Sequence, residues 1–147
     1  MDRNELQLPI ITICGEHQFL LDTGSEEVWL ADLDCRNCAR KTAVCPHIGS
    51  KGQSVQYFRG SVRGDFVYFK SCLGTNKIIC VKESDNMQNI QSHGILGLRG
   101  NSTGRNFIKN MLEQYQVGIH SVGIYYGLNE GRVFLGGCPE HFKKEKL

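Results

Sequence analysis

The chain has 147 residues, of which 40% are hydrophobic and 22% are charged, and its formal net charge is +2 at pH 7. That length suits one domain with its own hydrophobic core, so we expect residues 1–147 to form one domain, with a core at about 10–138 and a tail or linker at 139–147. The small net charge gives no support for a nucleic-acid partner, and no apolar run approaches the roughly 20 residues that span a bilayer.

The first informative pattern is an apolar run at 19–21 followed by a short polar loop, Asp22-Thr23-Gly24-Ser25. An apolar strand can carry the Asp22 carboxylate to the end of a sheet. Gly24 permits a turn tight enough for backbone N–H groups to point at that carboxylate. The hydroxyls of Thr23 and Ser25 can brace the turn and hydrogen-bond an aspartate oxygen. The segment is therefore either an ordinary turn after a buried strand or a catalytic loop, and later segments decide between the two.

Three later segments predict regular structure. Residues 55–68 predict two strands that meet in a tip containing glycine and serine. A closing hairpin is predicted from 124–126 and 133–137, with its turn at 129–131. Between these hairpins, four apolar residues recur at helical spacing before Gly118, where we expect the helix to stop: Ile108, Met111, Leu112 and Tyr115.

In this order and spacing, residues 10–137 resemble the amino-terminal lobe of a pepsin-like aspartic protease. The resemblance implies an all-β fold with one or two short helices, built from closed-barrel-like or orthogonally packed sheets. It also implies that Asp22 is catalytic and that Thr23, Gly24 and Ser25 support its loop.

The hairpin at 55–68 resembles the flap that closes over substrate in pepsins. The family's Tyr-x-x-Gly-Ser pattern stands here as Tyr57, Gly60 and Ser61, and the tyrosine is expected to pack against Trp29. The resemblance thus assigns these four residues to the flap and to substrate binding.

The segment Gly-Ile-Leu-Gly-Leu at 94–98 matches the pepsin psi loop, in which Ile95, Leu96 and Gly97 wrap the catalytic strand. In an isolated lobe we expect Ile95 and Leu96 to belong to an exposed apolar face beside Asp22, larger than monomers usually tolerate. Such a face would favour self-association.

Two features depart from the pepsin pattern. The segment Ile11–Leu21 is short, which makes it more similar to the retropepsins, in which each of two copies supplies one Asp-Thr-Gly. Glu26 and Glu27 stand where pepsins carry small polar residues, and we expect them to point to solvent.

The resemblance implies an aspartic endopeptidase lobe that hydrolyses a peptide or protein substrate and needs no cofactor. Such chemistry requires two facing aspartates, but the sequence contains one Asp-Thr-Gly. The second would come from a homodimer or from a missing chain segment. The alternative is a catalytically inactive lobe or gene fragment that acts as a peptide-binding or interaction module.

The chain contains seven cysteines. Cys35, Cys38, Cys45 and His47 form a C-x2-C-x6-C-x-H pattern that is compatible with zinc. Pepsin-like proteases often carry a small disulfide in this region, so we favour disulfide bonding and expect no metal site. Five cysteines are disulfide candidates: Cys35, Cys38, Cys45, Cys72 and Cys80.

The remaining cysteine expectations follow from position. Cys72 and Cys80 flank a predicted hairpin and could pair across it, whereas Cys14 and Cys138 are candidates for free thiols. This cysteine usage favours an oxidising location, in the secretory pathway, a vacuole or the extracellular space. The segment Met1–Glu5 does not have the features of a signal peptide.

Overall fold

The computed structural model describes residues 9–42, 52–57, 60–87, 89–99, 107–116, 118, 121–126 and 131–137. The described residues form nine strands and one helix. In chain order these are β1 (Ile10–Ile13), β2 (His17–Asp22), β3 (Val28–Arg36), β4 (Gln53–Gln56), β5 (Ser61–Ser71), β6 (Gly74–Asp85), β7 (Gly94–Gly97), α1 (Phe107–Gln114), β8 (Val122–Tyr126) and β9 (Gly131–Leu135). The prediction of a mainly β protein with a short helix is confirmed.

Contacts divide the chain into two compact units, Met1–Phe107 and Ile108–Leu147. In the first unit, β1 to β7 form one seven-stranded sheet in the order β1-β2-β7-β3-β6-β5-β4. The pairs β2–β7 and β3–β6 are parallel, and the other neighbours are antiparallel. The single-domain boundary stays a prediction.

The expected closed barrel is wrong for the described residues. The seven-stranded sheet is open, because β1 and β4 lie at its two ends and pair only with β2 and β5. β1 has 4 residues and β4 has 4, so both edges are short, a common way of limiting edge-to-edge pairing. The orthogonal packing of two sheets stays a prediction.

The hairpin predicted at 55–68 is present as β4 and β5. Gln56 pairs with Ser61, and the Tyr57 N–H donates to the Gly60 carbonyl at 2.7 Å to close the turn. β5 then continues to Ser71 and pairs along its whole length with β6. Buried and exposed residues alternate over much of β5, as expected for a strand with one face on the core.

In the second unit, the residues predicted from helical spacing lie in or just after α1. Ile108, Met111 and Leu112 are buried, whereas Tyr115 follows the helix and is 55% exposed. The helix ends earlier than Gly118, because Gln116 takes a left-handed conformation with φ of 58°, which cannot continue an α-helix. No helical segment in the described part of the chain has the length and hydrophobicity needed to cross a lipid bilayer.

The closing hairpin is also present in the second unit, where β8 and β9 pair antiparallel from Val122–Leu135 to Tyr126–Gly131. The Gly136 N–H donates to the Ser121 carbonyl at 2.9 Å just beyond the paired ends. The turn predicted at 129–131 falls mostly outside the described residues, of which Gly131 begins β9.

Two disulfides join described residues of the first unit. The bridge between Cys35 and Cys38 confirms the expected disulfide bonding of this loop, whereas the bridge between Cys14 and Cys72 differs from expectation. Cys14 bonds Cys72 with a Cα–Cα distance of 5.7 Å, and Cys35 bonds Cys38 with a distance of 5.8 Å. Cys14 is therefore not free, and Cys72 is not paired with Cys80, which is itself disulfide-bonded. Such bonds are compatible with an oxidising, secretory-type location.

The predicted Cys72–Cys80 bridge fails because the hairpin turns at a different place. Ser71 pairs with Gly74, so Cys72 lies in the turn, and Cys80 lies far along β6 opposite Asp65. A strand rises about 3.3 Å per residue, which puts Cys80 well beyond the roughly 7 Å Cα limit for a disulfide with Cys72. The candidate Cys45 lies outside the described residues.

We expect replacement of Cys14 and Cys72 together by alanine to lower the free energy of unfolding by about 4 kcal/mol, because this bridge cross-links residues 58 apart in the unfolded chain. Replacement of Cys35 and Cys38, which are separated by 3, should cost less, about 2 kcal/mol in the same entropic treatment. Urea unfolding of the two double variants measures both values. Equal losses would contradict an origin in loop closure.

Candidate active site

Asp22 lies at the carboxyl end of β2, as the sequence predicted. Phe19 and Leu21 are buried at 0% and 4% exposure, and the residues between and after them are partly exposed. This alternation shows that Phe19 and Leu21 lie on the core-facing side of β2. Asp22, on the other side, is half-buried at the end of the strand. The Asp22 backbone pairs with Gly97 of β7.

The loop after Asp22 turns back onto its carboxylate. The Gly24 N–H donates to Asp22 Oδ1 at 3.0 Å, and the Leu98 N–H donates to the Asp22 carbonyl at 3.0 Å. A Cβ on Gly24 would lie 3.4 Å from Asp22 Oδ1. The predicted contact between a backbone N–H and the carboxylate is thus present, and hydrogen bonds of this kind to an anion are stronger than neutral ones.

The two hydroxyls of the loop differ from expectation. Thr23 is exposed. Ser25 Oγ is buried and has no hydrogen-bond partner among the described residues, so it does not bind an Asp22 oxygen. A buried hydroxyl without a partner carries a free-energy cost, which a bound water or substrate group would remove.

β7, the segment predicted to wrap the catalytic strand, lies between β2 and β3 and pairs with both. Ile95 and Leu96 are each 3% exposed. The expected exposed apolar face at these two residues is therefore wrong, because Ile95 packs in a buried cluster that includes Trp29 and Leu96 is equally buried. Gly97 is closely packed, since a Cβ there would lie 2.6 Å from the Glu27 carbonyl oxygen.

Trp29 and Tyr57 form the central contact between the Asp22 region and the β4–β5 hairpin. The Trp29 indole Nε1–H donates to the Tyr57 hydroxyl at 2.9 Å. Trp29 is 3% exposed and belongs to a buried apolar cluster against which Tyr57 packs. The predicted contact of the tyrosine with Trp29 is present, with a hydrogen bond added to the packing.

The pKa of Tyr57 is raised mainly by burial and is also affected by the Asp22 charge. Burial raises the pKa of Tyr57 well above its ordinary value, and the nearby carboxylates of Asp22 and Glu27 raise it further. The Trp29 hydrogen bond and the nearby Ser25 hydroxyl act in the opposite direction on this pKa. The phenol therefore stays protonated and can act as a hydrogen-bond donor beside Asp22.

The other two residues assigned to the flap have structural positions at the turn of the hairpin. A Cβ on Gly60 would lie within 2.8 Å of the Asn86 carbonyl oxygen, so only glycine fits there without movement. Ser61 is half-buried in β5, where it pairs with Gln56 and Asp85.

Arg99 is a residue of this region that sequence reasoning missed. Its backbone N–H donates to the Ser25 carbonyl at 3.0 Å, and its guanidinium lies 3.5 Å from Glu26 Oε1. Glu26 therefore has an ion-pair partner, and its side chain is 37% exposed, which agrees with the expectation that it points to solvent. The signal available in the sequence was a basic residue just after the 94–98 segment, together with two acidic residues, Glu26 and Glu27, just after the Asp22 loop.

No group of three potential metal-ligating side chains comes together within the described ranges. In the C-x2-C-x6-C-x-H pattern, Cys35 and Cys38 are joined in a disulfide, and a disulfide cannot supply thiolate ligands. Cys45 and His47 lie outside the described residues.

Comparison of the sequence with models of protein families gave no match, and comparison with curated proteins gave none either. The resemblance to pepsin-like proteases therefore depends on the motifs and the geometry given above.

We expect Gly97→Ala to lower the free energy of unfolding by about 1–3 kcal/mol, the usual cost of overpacking. Its Cβ would meet the Glu27 carbonyl oxygen at 2.6 Å and the Ser25 carbonyl oxygen at 2.7 Å, and backbone atoms cannot rotate away. Gly118→Ala is the matched control, because a Cβ there meets nothing within 4 Å. Similar unfolding curves for the two variants would contradict the close packing of β7 against this loop.

We expect Tyr57→Phe to destabilise the protein by about 1–3 kcal/mol, because it leaves the buried Trp29 N–H without an acceptor. Tyr68→Phe removes a hydroxyl from a side chain that is 68% exposed and should change stability by less than about 0.5 kcal/mol. Urea unfolding at neutral pH gives both values.

The loss of stability caused by Tyr57→Phe should become smaller at high pH. Because the Tyr57 pKa is raised in the folded state, the unfolded phenol ionises first, near its ordinary pKa of about 10. The wild-type free energy of unfolding should therefore fall above pH about 10 through this group, and its advantage over Tyr57→Phe should shrink. An advantage that is constant across this range would show that Tyr57 is not buried as described.

Proposed function

We propose that this chain is one lobe of an aspartic endopeptidase in which Asp22 supplies one of two catalytic carboxylates. The observation that carries the proposal is the hydrogen bond from Trp29 to Tyr57. It ties the β4–β5 hairpin to β3, the strand that follows the loop carrying Asp22. The Asp22 carboxylate also acts on the pKa of Tyr57, so we take the hairpin to be the cover of a site at Asp22. An ordinary turn after a strand gives no reason for this arrangement.

The chemistry follows from two like charges held together. Two carboxylates about 3 Å apart cannot both ionise, so they share one proton. The ionised member takes a proton from a water molecule between them, whose oxygen attacks the peptide carbonyl carbon. The protonated member donates to the carbonyl oxygen. The tetrahedral intermediate then breaks at its C–N bond when the nitrogen takes up a proton, without a covalent bond to the enzyme.

Three features of the described residues suit this role. The Gly24 N–H donates to Asp22 Oδ1 and holds the carboxylate in one orientation. The Tyr57 phenol stays protonated beside it because of burial. Within the described residues the buried Ser25 hydroxyl of the same loop makes no hydrogen bond of normal geometry, and it would be available to a water or substrate group. The β4–β5 hairpin would act as the flap, covering an extended peptide and excluding water during the reaction.

The second carboxylate has two possible sources, a second copy of the chain or a further chain segment. The single Asp-Thr-Gly in the sequence also favours the alternative, a lobe that binds peptide or a partner without cleaving it. A lobe of that kind would retain the Trp29–Tyr57 contact but would not need an ionisable group at position 22. Substitution of Asp22 therefore distinguishes the two functions.

We expect Asp22→Asn to abolish peptide cleavage at acid pH and to leave the fold unchanged, because the amide keeps the size of the side chain and removes its ionisable group. Asp85→Asn makes the same change at an exposed residue of β6 and should retain the wild-type rate. A quenched fluorescent peptide library measures cleavage, and circular dichroism monitors the fold. Wild-type activity in purified Asp22→Asn, freed of host proteases, would contradict the assignment.

If two copies supply the two aspartates, the cleavage rate should rise with the square of protein concentration at high dilution, where the monomer predominates. Rates measured over a dilution series, together with the solution mass, test this expectation. A monomeric mass with a rate strictly proportional to concentration would exclude the homodimer as the source of the second carboxylate.

A further inference from the structure

We propose that the Cys35–Cys38 disulfide is a reversible redox site that exchanges with small anionic thiols while the protein stays folded, and that its state changes the surroundings of Trp29. The two cysteines are separated by only two residues, Arg36 and Asn37, at the end of β3. This inference is independent of peptide cleavage.

The backbone around the pair is held by contacts other than the disulfide. The buried Ser84 hydroxyl donates to the Asn37 carbonyl at 2.5 Å, and the Thr42 N–H donates to the Ala31 carbonyl at 2.9 Å across the base of this loop. Arg36 also lies 3.1 Å from Glu83. Because the bridge spans only 3 positions, it restricts the unfolded chain little. Opening it should therefore leave the loop and the sheet in place.

A cleft beside the disulfide gives access to one of its sulfurs. This shallow cleft is lined by Cys38, Trp29 and Arg40 together with apolar residues that include Met87 and Ile90. Cys38 is half-buried, whereas Cys35 is 2% exposed. An incoming thiolate can thus reach Cys38 and not Cys35.

The charge in the cleft determines which thiol is favoured. Burial lowers the pKa of His93, another lining residue, and the Arg40 charge lowers it further, so His93 is neutral at pH 7. The Arg40 guanidinium donates to Gln18 Oε1 and to the Gln91 carbonyl, both uncharged acceptors. Arg40 therefore supplies a positive charge that attracts a thiol carrying a carboxylate and stabilises thiolates nearby.

The exchange proceeds in two steps. A thiolate of the small molecule attacks Cys38 Sγ, the Cys35–Cys38 bond breaks, and Cys35 leaves as a thiolate that then takes up a proton. A second small thiolate attacks the sulfur of the small molecule in this mixed disulfide and releases Cys38, which is protonated in turn. Two small thiols are oxidised to one disulfide, and the two cysteines are reduced.

Trp29 connects this site to the Asp22 region. Trp29 and Cys35 belong to one buried cluster, against which Cys38 and Tyr57 also pack. Separation of the two sulfurs must change the packing on the cleft side of the indole, whose N–H binds the Tyr57 hydroxyl. Since Trp29 is the single tryptophan of the chain, its fluorescence reports this change directly.

The test equilibrates the full chain with reduced and oxidised glutathione in increasing ratio, and then alkylates free thiols for peptide mass spectrometry. We expect Cys35 and Cys38 to become alkylated while the far-ultraviolet circular dichroism stays native, with a glutathione adduct on Cys38 at intermediate ratios. Trp29 emission should shift in step with this alkylation. The Cys14→Ala/Cys72→Ala variant should keep the emission response, and Cys35→Ala/Cys38→Ala should fold and lack it.

Opening of the pair only together with loss of the native circular dichroism would overturn the proposal, as would failure of Cys35→Ala/Cys38→Ala to fold. An emission response that persists in that variant would also overturn it. The role of Arg40 is tested by two rates of reduction of the Cys35–Cys38 disulfide, one with anionic glutathione and one with neutral 2-mercaptoethanol. The measured quantity is the ratio of the first rate to the second. Arg40→Gln should lower this ratio by up to about fivefold, the size expected for an exposed charge pair, and an unchanged ratio would overturn the preference for an anionic thiol.

Discussion

The insertion of β7 between β2 and β3 is the constraint on which the rest of the first unit depends. One short strand, Gly94–Gly97, pairs in parallel with β2 and antiparallel with β3. Glycine is needed at both ends of β7 because the neighbouring backbone lies so close to it. A Cβ on Gly94 or Gly97 would collide with backbone atoms of the adjacent strand or loop. Asp22 and Trp29 are thereby held on either side of the same strand.

A hydrogen bond from Trp29 connects this arrangement to the β4–β5 hairpin. Trp29 binds Tyr57, which ties the β4–β5 hairpin to β3, the strand after the Asp22 loop. Both Trp29 and Tyr57 pack with Cys35 and Cys38 in one apolar cluster. The β4–β5 hairpin, Trp29 of β3 and the short disulfide loop thus share one set of contacts.

The features predicted successfully from the sequence were mainly local. The strand ending at Asp22, the hairpin around Tyr57 and the helix with Ile108, Met111 and Leu112 each have a short-range pattern of apolar and turn residues. Pairings between distant segments were harder, because periodicity carries no information about them. Two such pairings are the disulfide of Cys14 with Cys72, which are 58 residues apart, and the ion pair of Arg99 with Glu26.

Burial was misjudged where it depends on topology. Ile95 and Leu96 were expected to be exposed beside Asp22, yet both are buried, Ile95 in the same cluster as Trp29. The expected closed barrel failed for a related reason, since strand patterns predict sheets but not whether their edges meet. The unpartnered Ser25 hydroxyl likewise has no signature in the sequence, because it depends on how the loop closes.

The most direct test of the central claim is a crystal structure of the protein with a peptide whose scissile amide is replaced by a hydroxyethylene group, a mimic of the tetrahedral intermediate. We expect the hydroxyl of this group to lie within about 2.6–3.2 Å of the Asp22 carboxylate, the reach of a hydrogen bond, with the β4–β5 hairpin over the peptide. A peptide bound away from Asp22 and Tyr57, or no peptide bound at saturating concentration, would contradict it.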